Sequence, residues 1–265
     1  MSQLLEIIKD HYTEYVDKEE IVFMSHMEYI IICKKINDTD DKSEKDNKDK
    51  KISYVYNKNY AEHYTNKLEI LVIFNKFKPL KMINNIEIDD VMFTTGYTVI
   101  ATNNNLAYYI SIDSAFSLNI NNDSAKKYKL NGIFTQYYPD GHISIKGKLK
   151  DGIETGLWKY YNEQHQLIKT INFNNDGSKD GLEYYYYQSG NIKIISETVN
   201  HKKQGKWTLY YDNSNKQVSI AGYYISGLKH NYWLYFDEHS NLILKEQYNI
   251  GTIIEQSKKI QISHV

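Results

Sequence analysis

The sequence predicts a mainly β protein: a β-rich N-terminal domain with one short helix, then an elongated single-layer antiparallel sheet of repeated β-hairpins. Three observations predict it. One short phrase is written five times between Asn131 and Gly251: GIFTQYYPDG from Gly132, GLWKYYNEQH from Gly156, GLEYYYYQSG from Gly181, GKWTLYYDNS from Gly205 and NYWLYFDEHS from Asn231. Outside that stretch, most apolar runs are short, β-branched and aromatic, and are separated by Asn, Lys and Gly, the signature of strands. Tyrosine, present 26 times, suits half-exposed strands whose rings are buried and hydroxyls wet, and only two prolines, Pro79 and Pro139, interrupt the chain.

In chain order, Leu4, Leu5, Ile8, Tyr12 and Tyr15 recur at helical spacing with Glu6, Lys9 and Glu14 between them. They predict an amphipathic helix over 4–16 that packs on the domain behind it. Ile21 to Met24 and Tyr29 to Cys33 read as strands on either side of Ser25-His26. Cys33 is the single cysteine, so no internal disulfide forms, and its place at the end of an apolar run predicts an inert buried thiol. Residues 37–51 (NDTDDKSEKDNKDKK) hold no apolar side chain and are expected to be a disordered charged loop. The acids there lack the glycine and terminal glutamate spacing of a calcium loop. Ile52 to Tyr56, Leu68 to Phe74, Tyr97 to Ala101 and Ala107 to Ile112 predict further strands. Thr102-Asn103-Asn104-Asn105 predicts a hairpin turn, because asparagine tolerates positive φ. The expected domains are 1–125, five hairpin repeats over 130–251, and a C-terminal cap over 252–265, with Asn119 to Lys127 as the junction.

The phase markers Gly132, Gly156, Gly181, Gly205 and Asn231 are 24 to 26 residues apart, a period of repeat architectures. Each unit fits two strands and a turn, such as Pro139-Asp140-Gly141 or Gln188-Ser189-Gly190, with return strands Ile143 to Leu149 or Ile192 to Thr198. Strand alternation sorts the rings by face. Two and four residues past the marker, on one face, lie Phe134, Trp158, Tyr160, Tyr185, Trp207, Trp233 and Tyr235, with Glu183 in the place of one ring. Five past it, on the other face, lie Tyr137, Tyr161, Tyr186, Tyr210 and Phe236. The unbroken fifth-position series is expected to be the structural ladder. The tryptophan face, where Glu183 intrudes, is expected to be the interaction face, since contiguous exposed apolar surface marks interfaces.

The recurring G-x-W-x-x-Y-Y with D-G and S-G turns resembles the variant class of MORN repeats, also found in bacterial antitoxin-like proteins. Classical MORN units carry Y-x-G-x-W with further glycines. This chain departs from that pattern, and its third and fifth units are degenerate, with Glu183 replacing the ring and Asn231 the glycine. The front domain, containing TTGYTVIATNNNLAYYISIDSAF, followed by repeats in an AT-rich composition, is similar to the MORN-repeat paralogues of mimivirus-like giant viruses. The resemblance implies a single-layer antiparallel sheet. It also implies phospholipid headgroups as partners, through Lys146, Lys148 and Lys150 or Lys202, Lys203 and Lys206, or an antitoxin-like inhibitor.

No nucleotide-binding glycine motif, zinc-protease H-E-x-x-H, C-x-x-C or G-x-S-x-G is present. The chain is therefore expected to have no catalytic residues, no cofactor, no metal and no small-molecule substrate. His142, His165 and His239 fall at hairpin turns without a repeated ligand spacing. Net charge is −1, and all 32 basic residues are lysine. Without arginine or a basic field, nucleic acid is not an expected partner. The N-terminus lacks the basic-then-apolar order of a signal peptide and no run spans a bilayer, so an intracellular, soluble protein is expected. The function expected is a non-enzymatic interaction or scaffold module for a protein partner or for self-association, with weak phospholipid contact; the alternative is a membrane-surface module that binds phospholipid headgroups, or the antitoxin-like inhibitor that the resemblance implies.

Overall fold

The computed structural model describes residues 2–36, 57–101 and 106–258. The expected charged loop at 37–51, the strand at 52–56, the turn at 102–105 and the tail beyond 258 lie outside the described residues. The chain is mainly β, with antiparallel sheets and, among the described residues, three helices, and divides into two compact units. One comprises Met1–Ile145 with Leu149–Gly152, the other Lys146–Lys148 with Ile153–Val265.

The first unit contains α1 (Ser2–His11), β1 (Ile21–His26), β2 (Tyr29–Lys35), β3 (Glu62–Thr65), β4 (Lys67–Asn75), β5 (Lys78–Ile83), β6 (Asn85–Ile88), β7 (Val91–Thr94), β8 (Thr98–Ile100) and β9 (Leu106–Tyr109). After them come α2 (Ile112–Ser117), α3 (Asn122–Lys127), β10 (Gly132–Tyr137) and most of β11 (Ile143–Lys150). Seven strands form one sheet in the order β3-β9-β1-β2-β4-β5, with β8 also on β4. Strands β1 and β2 are buried on both faces, which is why IVFM and YIIIC are continuous apolar runs rather than alternating ones. On one face Val22, Met24, Ile31, Cys33, Leu68 and Ile70 share a core with Phe93 and Val99. The Tyr12 ring, just past the end of α1, stacks on Phe74 of β4 at 4.4 Å and its hydroxyl donates to the Pro79 carbonyl at 2.7 Å. Burial pushes the Tyr12 hydroxyl up to about 12. Cys33 is fully buried, and burial drives its thiol well above the ordinary range, so it is inert as expected.

Helix α1 ends five residues before the spacing predicts, because the chain turns after Tyr12. Two further helices stand where the sequence predicts the end of a strand and a junction. Both are a turn and a half long and rest on their caps. Ser111 accepts from the Asp113 N–H, and Asn121 with Ser124 forms a reciprocal capping box.

The repeats form an eleven-stranded antiparallel sheet in strict sequence order from β10 onward. In the second unit its strands are β12 (Ile153–Tyr161), β13 (Leu167–Phe173), β14 (Gly181–Tyr186), β15 (Ile192–Val199), β16 (Lys202–Tyr210), β17 (Val218–Ile225), β18 (Leu228–Phe236), β19 (Leu242–Asn249) and β20 (Thr252–Lys258). β20 pairs with β19 and has no other strand neighbour among the described residues.

The repeating glycine now has a cause. All five phase markers have left-handed backbone: Gly132 (φ 99), Gly156 (66), Gly181 (97), Gly205 (76) and Asn231 (58). Asparagine is the residue that next best tolerates this region, so Asn231 preserves the rule rather than breaking it. At Gly156 a Cβ would meet nothing within 4 Å; the backbone angle alone selects glycine there. Successive hairpins are joined by two-residue turns with positive φ at both positions: Asn200-His201, Ser226-Gly227 and Ile250-Gly251, the twist-matched hairpin geometry. At the opposite edge, tyrosine hydroxyls tie one repeat to the next. Tyr187 donates to the Tyr210 carbonyl and Tyr211 to the Phe236 carbonyl, both at 2.7 Å.

Candidate interaction surface

The cross-strand register places the second-position residues in one row across the second unit. Trp158 faces Ile171, Glu183 faces Ser196, Ser196 faces Trp207, Trp207 faces Gly222, and Trp233 faces Glu246. The fourth-position row runs beside it: Tyr160 faces Lys169, Lys169 faces Tyr185, and Ile220 faces Tyr235. Within the second unit the sequence-predicted interaction residues do share one face of the sheet.

That face is the packed one. Trp158 and Trp233 are 3% exposed, Phe134 and Glu183 7%, while Tyr137, Tyr161, Tyr186, Tyr210 and Phe236 are all half-buried, as are Tyr160, Tyr185, Trp207 and Tyr235. The expected burial of the two faces is therefore reversed at Trp158 and Trp233, which are packed more deeply than any fifth-position ring. Glycines on the neighbouring strands make this burial feasible in a single layer. A Cβ on Gly147 would come 2.1 Å from the Trp158 indole, and one on Gly222 2.3 Å from the Trp233 indole. Each ring thus lies against bare backbone. Trp233 is further enclosed by Trp207 at 5.4 Å and, edge-on, by Tyr224 at 5.1 Å. The Lys229 ammonium stands 4.2 Å from its ring centroid. Lys203 bears the same relation to its own repeat, 5.9 Å from Trp207 and 5.1 Å from Tyr224. These lysines, two residues before the marker, complete the aromatic stack by cation–π contact.

The intruding acids are satisfied within this face. Glu183 accepts from the Thr198 and Tyr185 hydroxyls, each at 2.9 Å. Burial and that carboxylate raise the Tyr185 hydroxyl to about 12. Glu246 accepts from Tyr235 at 2.7 Å, Tyr248 at 2.9 Å and Gln256 at 3.2 Å, with Lys229 at 3.9 Å. Burial first, then the Glu246 hydrogen bond, drives the Tyr235 hydroxyl well above its ordinary range. Glu183 therefore serves the packing of the row, where the sequence suggests an exposed contact.

The other face is the open one. In the second unit its fifth-position rings each stand opposite an aliphatic residue across a bulge: Tyr161 with Leu167, Tyr186 with Ile192, Tyr210 with Val218 and Phe236 with Leu242. Beside them lie residues one past the marker, which the ring pattern overshadows in the sequence. Leu157 is 53% exposed, Leu182 47% and Tyr232 41%, and Tyr223, directly opposite Lys206, is 37% exposed. The recurrence of bulky apolar residues at this phase, in GLW, GLE and NYW, is the signal that could have found them. Polar neighbours interleave this row: Asn172 faces Leu157, Glu197 faces Leu182 and Gln247 faces Tyr232.

Neither a scan of protein-family models nor a search of curated proteins returns a match for this chain. Among the described residues, no helix is long and apolar enough to cross a membrane.

Proposed function

We propose that the chain is a non-enzymatic interaction module, built on MORN-like hairpin repeats, whose working surface is the open face bearing Leu157, Leu182, Tyr223 and Tyr232. The observation that carries this reading is the recurrence of solvent-open apolar side chains at one phase of the repeat. Apolar surface repeated along a sheet and rimmed by polar residues is what interfaces are made from. The occupant that fits is a second copy of the same face. The row mixes Lys206 with Glu197 and so complements itself in charge, and a net charge of −1 sets up no long-range repulsion between copies. An isologous sheet-on-sheet contact would cover the row on both chains at once.

Light scattering coupled to size exclusion tests the reading. Mass is expected to rise toward twice the monomer value with concentration, and the pair Leu157→Asp and Leu182→Asp is expected to restore a monomer with an unchanged circular dichroism spectrum. A chain that stays monomeric at every concentration overturns it, as does association that survives the double substitution. A monomer that co-sediments with anionic vesicles would transfer the role to phospholipid headgroups.

A further inference from the structure

A cavity of about 260 Å³ lies within the first compact unit. Four tyrosines, Tyr60, Tyr109, Tyr137 and Tyr138, contribute to its lining, and among the described residues Glu62 is the one charged side chain there. Among the described residues no lysine lines this cavity. The Tyr60 and Tyr137 rings stack at 4.6 Å with planes 11° apart, which fixes that wall. Glu62 accepts from the Tyr109 hydroxyl at 3.3 Å and, through its other oxygen, from Tyr64. Among the described residues it has no cationic partner.

One carboxylate among aromatic rings selects a class of ligand. The charge disfavours anions. A single carboxylate supplies too few oxygens for calcium, which takes six to eight. A diffuse positive charge with an apolar shell meets both the ring quadrupoles and the counter-ion. We propose that this cavity binds a small organic ammonium compound, with Glu62 as counter-ion and the tyrosine rings as walls. This site is independent of the open face of the repeats, and its ligand is held rather than transformed.

Titration calorimetry with choline as the probe tests it. One choline per chain is expected. The neutral isostere 3,3-dimethylbutan-1-ol is expected to bind about tenfold more weakly or worse, and Glu62→Gln to lose choline affinity by a similar factor. Co-sedimentation with phosphatidylcholine vesicles separates a membrane headgroup from a free ligand as the source of the ammonium. No saturable choline binding, or a neutral isostere that binds as tightly as choline, overturns the proposal. The isostere comparison uses the unaltered chain, so it decides the matter even if Glu62→Gln fails to fold.

Discussion

Replacing Gly222 with alanine probes the packed face at its narrowest point. The new methyl carbon would stand 2.3 Å from Cε2 and 2.4 Å from Cδ2 of Trp233, whereas carbon atoms rest about 3.5–4.0 Å apart. The indole would have to lift by roughly 1 Å, and Tyr224 and Lys229 stand against it. Overpacking of this kind costs about 1–3 kcal/mol. Exchanging glycine for alanine in a strand returns about 0.5–1 kcal/mol of chain entropy. The net expectation is a loss of about 1 kcal/mol, and at most about 2.5 kcal/mol, read from urea unfolding followed by tryptophan fluorescence. The cause is isolated by repeating the change in a Trp233→Leu background, where the clash is gone and Gly222→Ala should be neutral or slightly stabilising. The difference between the two backgrounds is the coupling between ring and glycine. A neutral or stabilising Gly222→Ala in the original chain would refute the ring-on-backbone packing.

Three further outcomes follow from the backbone and from one buried cation. Asn231→Gly should change stability by only a few tenths of a kcal/mol, while Asn231→Val should cost about 1–2 kcal/mol, because position 231 needs left-handed backbone; thermal unfolding of the pair checks this. Ile250 holds a β-branched side chain at φ 43 in a two-residue turn and is 56% exposed, so Ile250→Asn should stabilise by about 1 kcal/mol, and a lower midpoint in urea would contradict it. Lys76 is fully buried, donating to Ser25 at 3.0 Å and to the Leu118 carbonyl at 2.8 Å, and burial lowers its ammonium to about 7, opposed by the charge of Glu28. Its folded value lies below its unfolded one, so the unfolded chain holds more protons between them and stability rises with pH. Unfolding free energy should therefore climb by about 2 kcal/mol from pH 7 to pH 9, and Lys76→Met should flatten that rise.

Much of the fold is legible in the sequence because the repeat writes it several times. The marker glycines locate the hairpins, and Ile192 to Thr198 becomes β15 nearly residue for residue. What stays hidden depends on neighbours in space. Alternation puts Trp158 and Tyr161 on opposite faces, but it does not say which face is inside. That is decided by Gly147 and Gly222, which meet their tryptophans only once the strands are in register. A never-lapsing ring looks structural, yet the second position tolerates Glu183 because Thr198 and Tyr185 are placed to satisfy it. The short helices escaped for a related reason. Six residues are too few for an apolar stripe to recur at helical spacing, although the capping residues Ser111 and Asn121 are present to announce them.

The central claim is that two adjacent residues, Leu182 and Glu183, point to opposite sides, one open and one packed. The only native thiol, Cys33, is fully buried, so cysteine placed at either position reports on its own face. Labelling of Leu182→Cys and Glu183→Cys with a chromogenic disulfide reagent, under native conditions, makes the comparison directly. The account predicts rapid modification at 182, approaching that of a free thiol, and slow modification at 183. Faster reaction at 183 than at 182 would contradict it and return the tryptophan face to the outside.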